Sequence, residues 1–186
     1  MKNIFYSIFT LIILQSCSPS LTQYQTASTL GENKRSHSLA TEIATNPEEG
    51  IISYRYQKGV AENTDIGLGF GISHHGHVGV GLNLKTALIK DKMALNLPIV
   101  VKGIGGTRYD FTPTILYTYN ANNEKVKNTS SLQFISYYSD EIKTGYLYLS
   151  HNWQIRVKKI FICPEIGLEY KGPLQPKFGI AFTFKK

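Results

Sequence analysis

From residue 50 onward, large apolar side chains recur at every second position. In Ile66-Gly67-Leu68-Gly69-Phe70-Gly71-Ile72 every large residue falls on one face and every glycine on the other, and Val78-Gly79-Val80-Gly81-Leu82-Asn83-Leu84-Lys85 repeats the arrangement. Residues 160–170 put Ile, Ile, Ile, Leu and Tyr opposite Cys, Glu, Gly and Glu, and Phe178-Gly179-Ile180-Ala181-Phe182-Thr183-Phe184 closes the chain in the same way. A period of two predicts β-strands. No stretch combines a 3.6-residue period with capping residues, so no helix is expected. Clusters of Gly, Asn, Asp, Ser, Pro and charged residues cut the pattern at 46–50, 62–63, 73–76, 90–92, 103–106, 120–128, 139–145, 156–159 and 172–173. Nine strands fit around these turns, and the weaker alternation of Lys34 to Ala44 supplies a tenth. The expected fold is all-β: a single-domain, antiparallel, up-and-down β-barrel of about ten strands.

Period two alone does not say which face is inside, but the glycines bear on it. On the wet exterior of a soluble barrel a glycine weakens its strand without return. In the crowded lumen of a small membrane barrel a small residue makes room. Gly67, Gly69, Gly71, Gly79, Gly81, Gly167 and Gly179 share the face that also carries Lys85, Lys102, Arg108, Asp110, Glu165, Glu169 and Lys177. The expectation is therefore a membrane barrel with a polar, plugged lumen. Arg108, Asp110, Glu165 and Glu169 are the candidates for a lumenal ion-pair network. Tyrosines near many strand ends fit an interfacial girdle. The competing reading is a soluble, lipocalin-like barrel, with the apolar face inward around an apolar ligand.

The first residues are of another kind. Met1-Lys2-Asn3, the almost wholly apolar run Ile4 to Leu14, and Gln15-Ser16-Cys17 form a secretory signal peptide. The apolar run is too short to cross a bilayer as a helix. Leu14-Gln15-Ser16-Cys17 resembles the lipobox of bacterial lipoproteins, which implies that Cys17 is lipidated and becomes the first residue of the mature chain. The expected organisation is a signal peptide at 1–16, a flexible tether at 17–32 that is rich in Ser, Thr and Gln, and the barrel at 33–186. No acidic cluster follows Cys17, and by resemblance to known lipoprotein sorting signals this implies a periplasm-facing anchor in a Gram-negative outer membrane.

Three segments together, Leu14 to Cys17, Gln25-Thr26-Ala27-Ser28-Thr29-Leu30-Gly31, and Tyr54-Arg55-Tyr56 to Asp65-Ile66-Gly67-Leu68-Gly69, resemble those of small outer-membrane β-barrel-like lipoproteins of bacteria. The resemblance implies a fold and no catalytic residues. The C-terminal Phe182-Thr183-Phe184 looks like a barrel-assembly signal, from which the following Lys185-Lys186 depart.

Composition adds little chemistry. Charged residues make up 18% of the 186, and aromatic ones 12%, with 12 tyrosines and 9 phenylalanines. The formal net charge of +7 is spread along the chain. Without a basic cluster interleaved with aromatics, it points to anionic lipid headgroups rather than nucleic acid. Cys163 is the one cysteine besides Cys17 and lies in an apolar strand, so it reads as a buried small hydrophobe. In Ser73-His74-His75-Gly76-His77, His75 and His77 share a side and are the candidate metal ligands, though no Cys or carboxylate stands nearby in sequence. His151 falls on the apolar face beside Leu149 and Trp153, where acyl hydrolysis would require a nucleophile that sequence spacing does not supply. The expected role is therefore structural or interactive, without a cofactor. The expected partners are membrane lipid through Cys17, the outer membrane itself and other envelope proteins.

Overall fold

The computed structural model describes residues 24–44, 50–74, 76–103, 108–138, 143–170 and 174–186. Eleven strands follow one another: β1 (Arg35–Ala44), β2 (Ile51–Ala61), β3 (Thr64–Ser73), β4 (Val78–Ile89), β5 (Met93–Gly103), β6 (Arg108–Phe111), β7 (Thr114–Thr118), β8 (Val126–Tyr138), β9 (Lys143–Val157), β10 (Ile160–Tyr170) and β11 (Leu174–Lys185). All pairings are antiparallel, and sequence neighbours pair throughout except where the sixth stave is broken. That stave consists of β6 and β7, which both lie between β5 and β8. The break falls at Thr112-Pro113, where proline has no N–H to give to the ladder. Thr112 N–H still donates to Pro98 O at 3.1 Å, and Phe134 N–H to Pro113 O at 3.0 Å. The first and last strands close the cylinder, from Ser36↔Lys185 to Ala44↔Lys177. The result is a closed, ten-stave, up-and-down barrel, and the weakly alternating segment after Lys34 is its first stave.

The alternation resolves into two faces of opposite character. On β3, Ile66, Leu68, Phe70 and Ile72 point outward and are exposed, whereas Asp65, Gly67 and Gly71 are buried. On β10, Ile166, Leu168 and Tyr170 are exposed and Cys163, Glu165, Gly167 and Glu169 are buried. The buried face of the whole barrel includes Ser36, Glu42, Gln57, Lys85, Asn96, Thr114, Gln133, Asn152, Gln154, Lys177 and Thr183. Thirty-four large hydrophobic side chains among the described residues are exposed, far more than the scattered few a water-soluble monomer tolerates. This arrangement overturns the lipocalin-like alternative, which needs the apolar face inside. Exposed Tyr109, Tyr138 and Tyr170 lie at the mouth that holds the connection at 74–77, here called the far mouth. Tyr117 and Tyr119 lie at the opposite, near mouth, to which Lys186 belongs.

Residues 24–32 depart from the expected tether. Tyr24, Gln25, Thr26 and Ala27 are buried inside the barrel, and Gly31 turns the chain into β1. The Ser, Thr and Gln content that suggests a solvated linker equally suits a polar lumen. Residues 1–23, which include the expected signal peptide and Cys17, lie outside the described residues.

Candidate functional site

The lumen is the candidate site, and the N-terminal arm is its occupant. The arm starts near mid-barrel. Tyr24 N–H donates to Glu165 Oε2 at 3.1 Å and its hydroxyl donates to Thr41 O at 3.0 Å. The Tyr24 ring packs with Ala40, Cys163 and Ala181. One residue on, Gln25 is held twice: Asn152 Nδ2 donates to its carbonyl and Gln57 Nε2 to its Oε1, both at 3.1 Å. Ala27 N–H donates to Thr118 Oγ1 at 3.0 Å, and its methyl sits against Ala94 and Leu116. Lys85 Nζ donates to Ser28 O at 2.8 Å, and Thr29 Oγ1 to Glu62 O at 2.8 Å in the β2–β3 turn. Backbone that enters a barrel brings polar groups that need partners, and on this arm lumenal side chains supply them.

Asp65 joins the arm to two strands of the wall. It is fully buried, accepts from Leu30 N–H with both oxygens, and pairs with Lys85 Nζ at 3.0 Å. The arm then leaves through a close backbone approach. Gly31 adopts φ +82°, open to glycine without strain, and a Cβ on Gly59 would run into the Gly31 carbonyl. Two lumenal glycines make room for aromatic rings: a Cβ on Gly167 would overlap Tyr148, and one on Gly179 would overlap the Tyr24 hydroxyl.

The sequence-expected residues fare differently. Glu165 and Glu169 are both buried in the lumen but hold different partners. Glu165 binds the arm at Tyr24 and accepts from the Tyr148 hydroxyl at 3.2 Å. Glu169 pairs with Lys177, which also lies 3.8 Å from Glu42. Asp110 is buried on the lumenal face. The Arg108 side chain lies outside what the structure describes. Sequence reasoning missed Glu42 and Asp65 as partners for the lumenal lysines. Asp65 was legible as lumenal, since it lies on the glycine face of β3. Cys17 and His75 lie outside the described residues. His77 sits in the β3–β4 connection, where its N–H donates to Ser73 Oγ at 3.1 Å and its carbonyl accepts from Ser73 N–H at 2.9 Å. No group of three or more metal-ligating side chains occurs among the described residues.

On the outer face near Tyr119, β8 supplies His151 with a partner that its own strand lacks. Ser130 stands directly across from His151, its Oγ 2.9 Å from Nδ1, and the Tyr119 hydroxyl donates to the same Oγ at 3.2 Å. The His151 ring meets Trp153 edge-on at 4.7 Å. Among the described residues no carboxylate bonds to the ring.

No protein-family model matches the sequence, and neither does any curated protein. Among solved structures, the chain is similar to a de novo designed transmembrane β-barrel at 13% identity and a TM-score of 0.44, covering 83% of this chain and 97% of that one. The N-terminal β-barrel domain of Pseudomonas aeruginosa OprF matches at 12% identity and a TM-score of 0.34, over 83% of this chain and 99% of that one. Ail, the attachment invasion locus protein of Yersinia pestis, matches at 7% identity and a TM-score of 0.29, again over 83% and 99%.

Proposed function

We propose that this chain is a lipid-anchored β-barrel of a Gram-negative outer membrane, plugged by its own N-terminal arm and serving a structural or interaction role. The observation that carries the reading is the inversion of the barrel: exposed Leu, Ile, Val and Phe outside, buried charges and amides inside. A hydrocarbon phase is the environment in which such an exterior is favourable, and a closed barrel leaves no unpaired strand edge in it. The arm adds the functional half of the proposal. With seven or more hydrogen bonds from lumenal side chains onto residues 24–30, the lumen is a packed interior rather than a water channel. Lipid on Cys17 secures the chain to the membrane, and its partners are membrane lipid and other envelope proteins.

Conductance across a planar bilayer tests the plug. The full-length barrel is expected to be electrically silent, and a variant lacking residues 24–30 to show discrete openings. Openings of the same size in both would sink the plugged reading.

The Ser130–His151 pair favours a second reading, an acyl-ester hydrolase working on lipid at the membrane interface. Ser130 Oγ would attack the ester carbonyl as His151 takes its proton; the C–O bond to the alcohol then breaks, the alcohol leaves with that proton, and water attacks the acyl-Ser130 to release the fatty acid and restore the hydroxyl. Phospholipid hydrolysis by the purified barrel in mixed micelles, abolished in Ser130→Ala, would support it. Equal rates in the two proteins would remove it.

A further inference from the structure

The outer face of β2 to β5 holds an apolar hollow of about 470 Å³, within the roughly 300–1,000 Å³ of small-molecule sites. Two rows of outward side chains line it, each in register across the four strands. The first row is Lys58, Ile66, Leu84 and Leu97. The second is Tyr56, Leu68, Leu82 and Ile99. Lys58 is the charged residue of this lining.

The first row continues onto β1, where Arg35 stands directly across from Lys58. Arg35 is exposed and faces outward, since Ser36 beside it is buried in the lumenal face. Neither side chain has a hydrogen-bond or ion-pair partner among the described residues. Like charges directly opposite each other on a sheet are destabilising. A cation on the lipid face is also costly unless it reaches the headgroup layer. An anion held between the two would relieve both costs.

The strands of a membrane barrel are tilted, so a row in register across them runs obliquely to the membrane. Arg35 opens β1 at the near mouth, and Lys58 lies three residues from the end of β2 (61 − 58). Leu84 and Leu97 sit in the middle of β4 and β5. The first row therefore starts with two cations at the rim and ends with aliphatic side chains at mid-barrel. Tyr56 flanks the cations, with the His37 ring 5.2 Å from its own, as aromatic residues do at headgroup level.

On the membrane barrel proposed above, we propose that this hollow holds one acyl chain of an anionic phospholipid whose phosphate bridges Arg35 and Lys58. The Arg35 guanidinium offers a fork that matches two phosphate oxygens, and the Lys58 ammonium adds a point charge. The chain then lies over Leu68, Leu82 and Leu84 toward mid-membrane. The site is a surface groove of the wall, separate from the lumen and its arm.

The test uses the full-length barrel folded in a nonionic detergent. It is titrated with dioleoylphosphatidylglycerol, and in parallel with dioleoylphosphatidylcholine, which has the same chains but no net charge. Native mass spectrometry counts the lipids retained. Expected is one tightly held phosphatidylglycerol and weaker phosphatidylcholine. The variant Arg35→Gln with Lys58→Gln should weaken phosphatidylglycerol by about 30-fold, the scale of two cations lost at an anionic headgroup layer, with little change for phosphatidylcholine. Leu82→Trp fills the hollow with both cations intact, and should weaken both lipids. Lys158→Ala with Lys159→Ala, in the β9–β10 turn, should change neither.

Undiminished phosphatidylglycerol binding in the Arg35/Lys58 variant would overturn the site, as would an equal loss in the Lys158/Lys159 variant. Displacement of phosphatidylglycerol by equimolar lipid A would overturn the choice of a phospholipid. Extraction of the unmodified protein without detergent would remove the membrane barrel itself. A barrel that needs detergent yet holds both phospholipids equally would overturn the lipid site alone.

Discussion

The Leu30 amide donates to both carboxylate oxygens of Asp65, at 2.9 and 3.2 Å, 35 residues away in sequence. Asp65 simultaneously pairs with Lys85 at 3.0 Å, both side chains being almost completely buried. One carboxylate thus joins the arm, β3 and β4. Removing one partner of a buried pair leaves the other charge uncompensated and costs about 3–5 kcal/mol. Asp65→Ala is therefore expected to lower the unfolding midpoint of the folded barrel steeply. Replacing Lys85 by Met in the same chain should recover part of the loss, because no orphaned ammonium remains. Unfolding monitored by gel mobility against temperature reads both variants.

Gly179 faces the Tyr24 hydroxyl so closely that a Cβ would overlap it. Overpacking of this kind typically costs about 1–3 kcal/mol. Gly179→Ala should destabilise the barrel by that order. The same substitution in a Tyr24→Phe background should cost less, since the colliding oxygen is gone. Strict additivity in the double variant would show that the arm does not occupy the lumen as described.

Leu68 lies mid-strand on β3 and points outward, 53% exposed. In a bilayer, arginine at such a midplane position costs about 2–4 kcal/mol, and about 0–1 near the interface. Leu68→Arg should therefore lower stability in lipid vesicles far more than Val157→Arg, which sits beside the β9–β10 turn. A barrel surrounded by water would tolerate both equally.

The surface pair Lys90–Glu62 gives a contrasting expectation. The Lys90 hydrogen bond at 2.7 Å, reinforced by its charge, holds the Glu62 carboxyl below its ordinary 4.5. Any stabilisation is thus present above that ordinary value and is lost as the pH falls through the lower, folded one. Both side chains are about four-fifths exposed, so water and salt screen the pair. Lys90→Ala is expected to leave the unfolding midpoint unchanged at neutral pH, and to leave its acid dependence unchanged within error.

Much of the architecture was written in the period of two. The strand count, the antiparallel order and the outward face of Ile66, Leu68 and Phe70 follow from alternation and turn residues. The position of glycine opposite bulk indicated the lumen. Gly167 and Gly179 do face it, one against Tyr148 and one against Tyr24. The arm was not legible, because a segment such as Gln25-Thr26-Ala27-Ser28-Thr29 has the same composition whether water or a polar lumen satisfies its backbone. Pairings between distant residues were also hidden. Glu165 and Glu169 stand four apart on one strand, yet the first serves the arm and the second serves Lys177. Ser130 and His151 meet only through the β8–β9 register, which no local spacing encodes.

Heat-modifiability of the mature chain, prepared without Cys17, tests the inverted barrel most directly. Boiled and unboiled samples folded in detergent are compared on a denaturing gel. The account predicts that the unboiled band migrates at a different position, and that this folded form is obtained only with detergent or lipid present. A folded, monomeric protein in detergent-free buffer would contradict it.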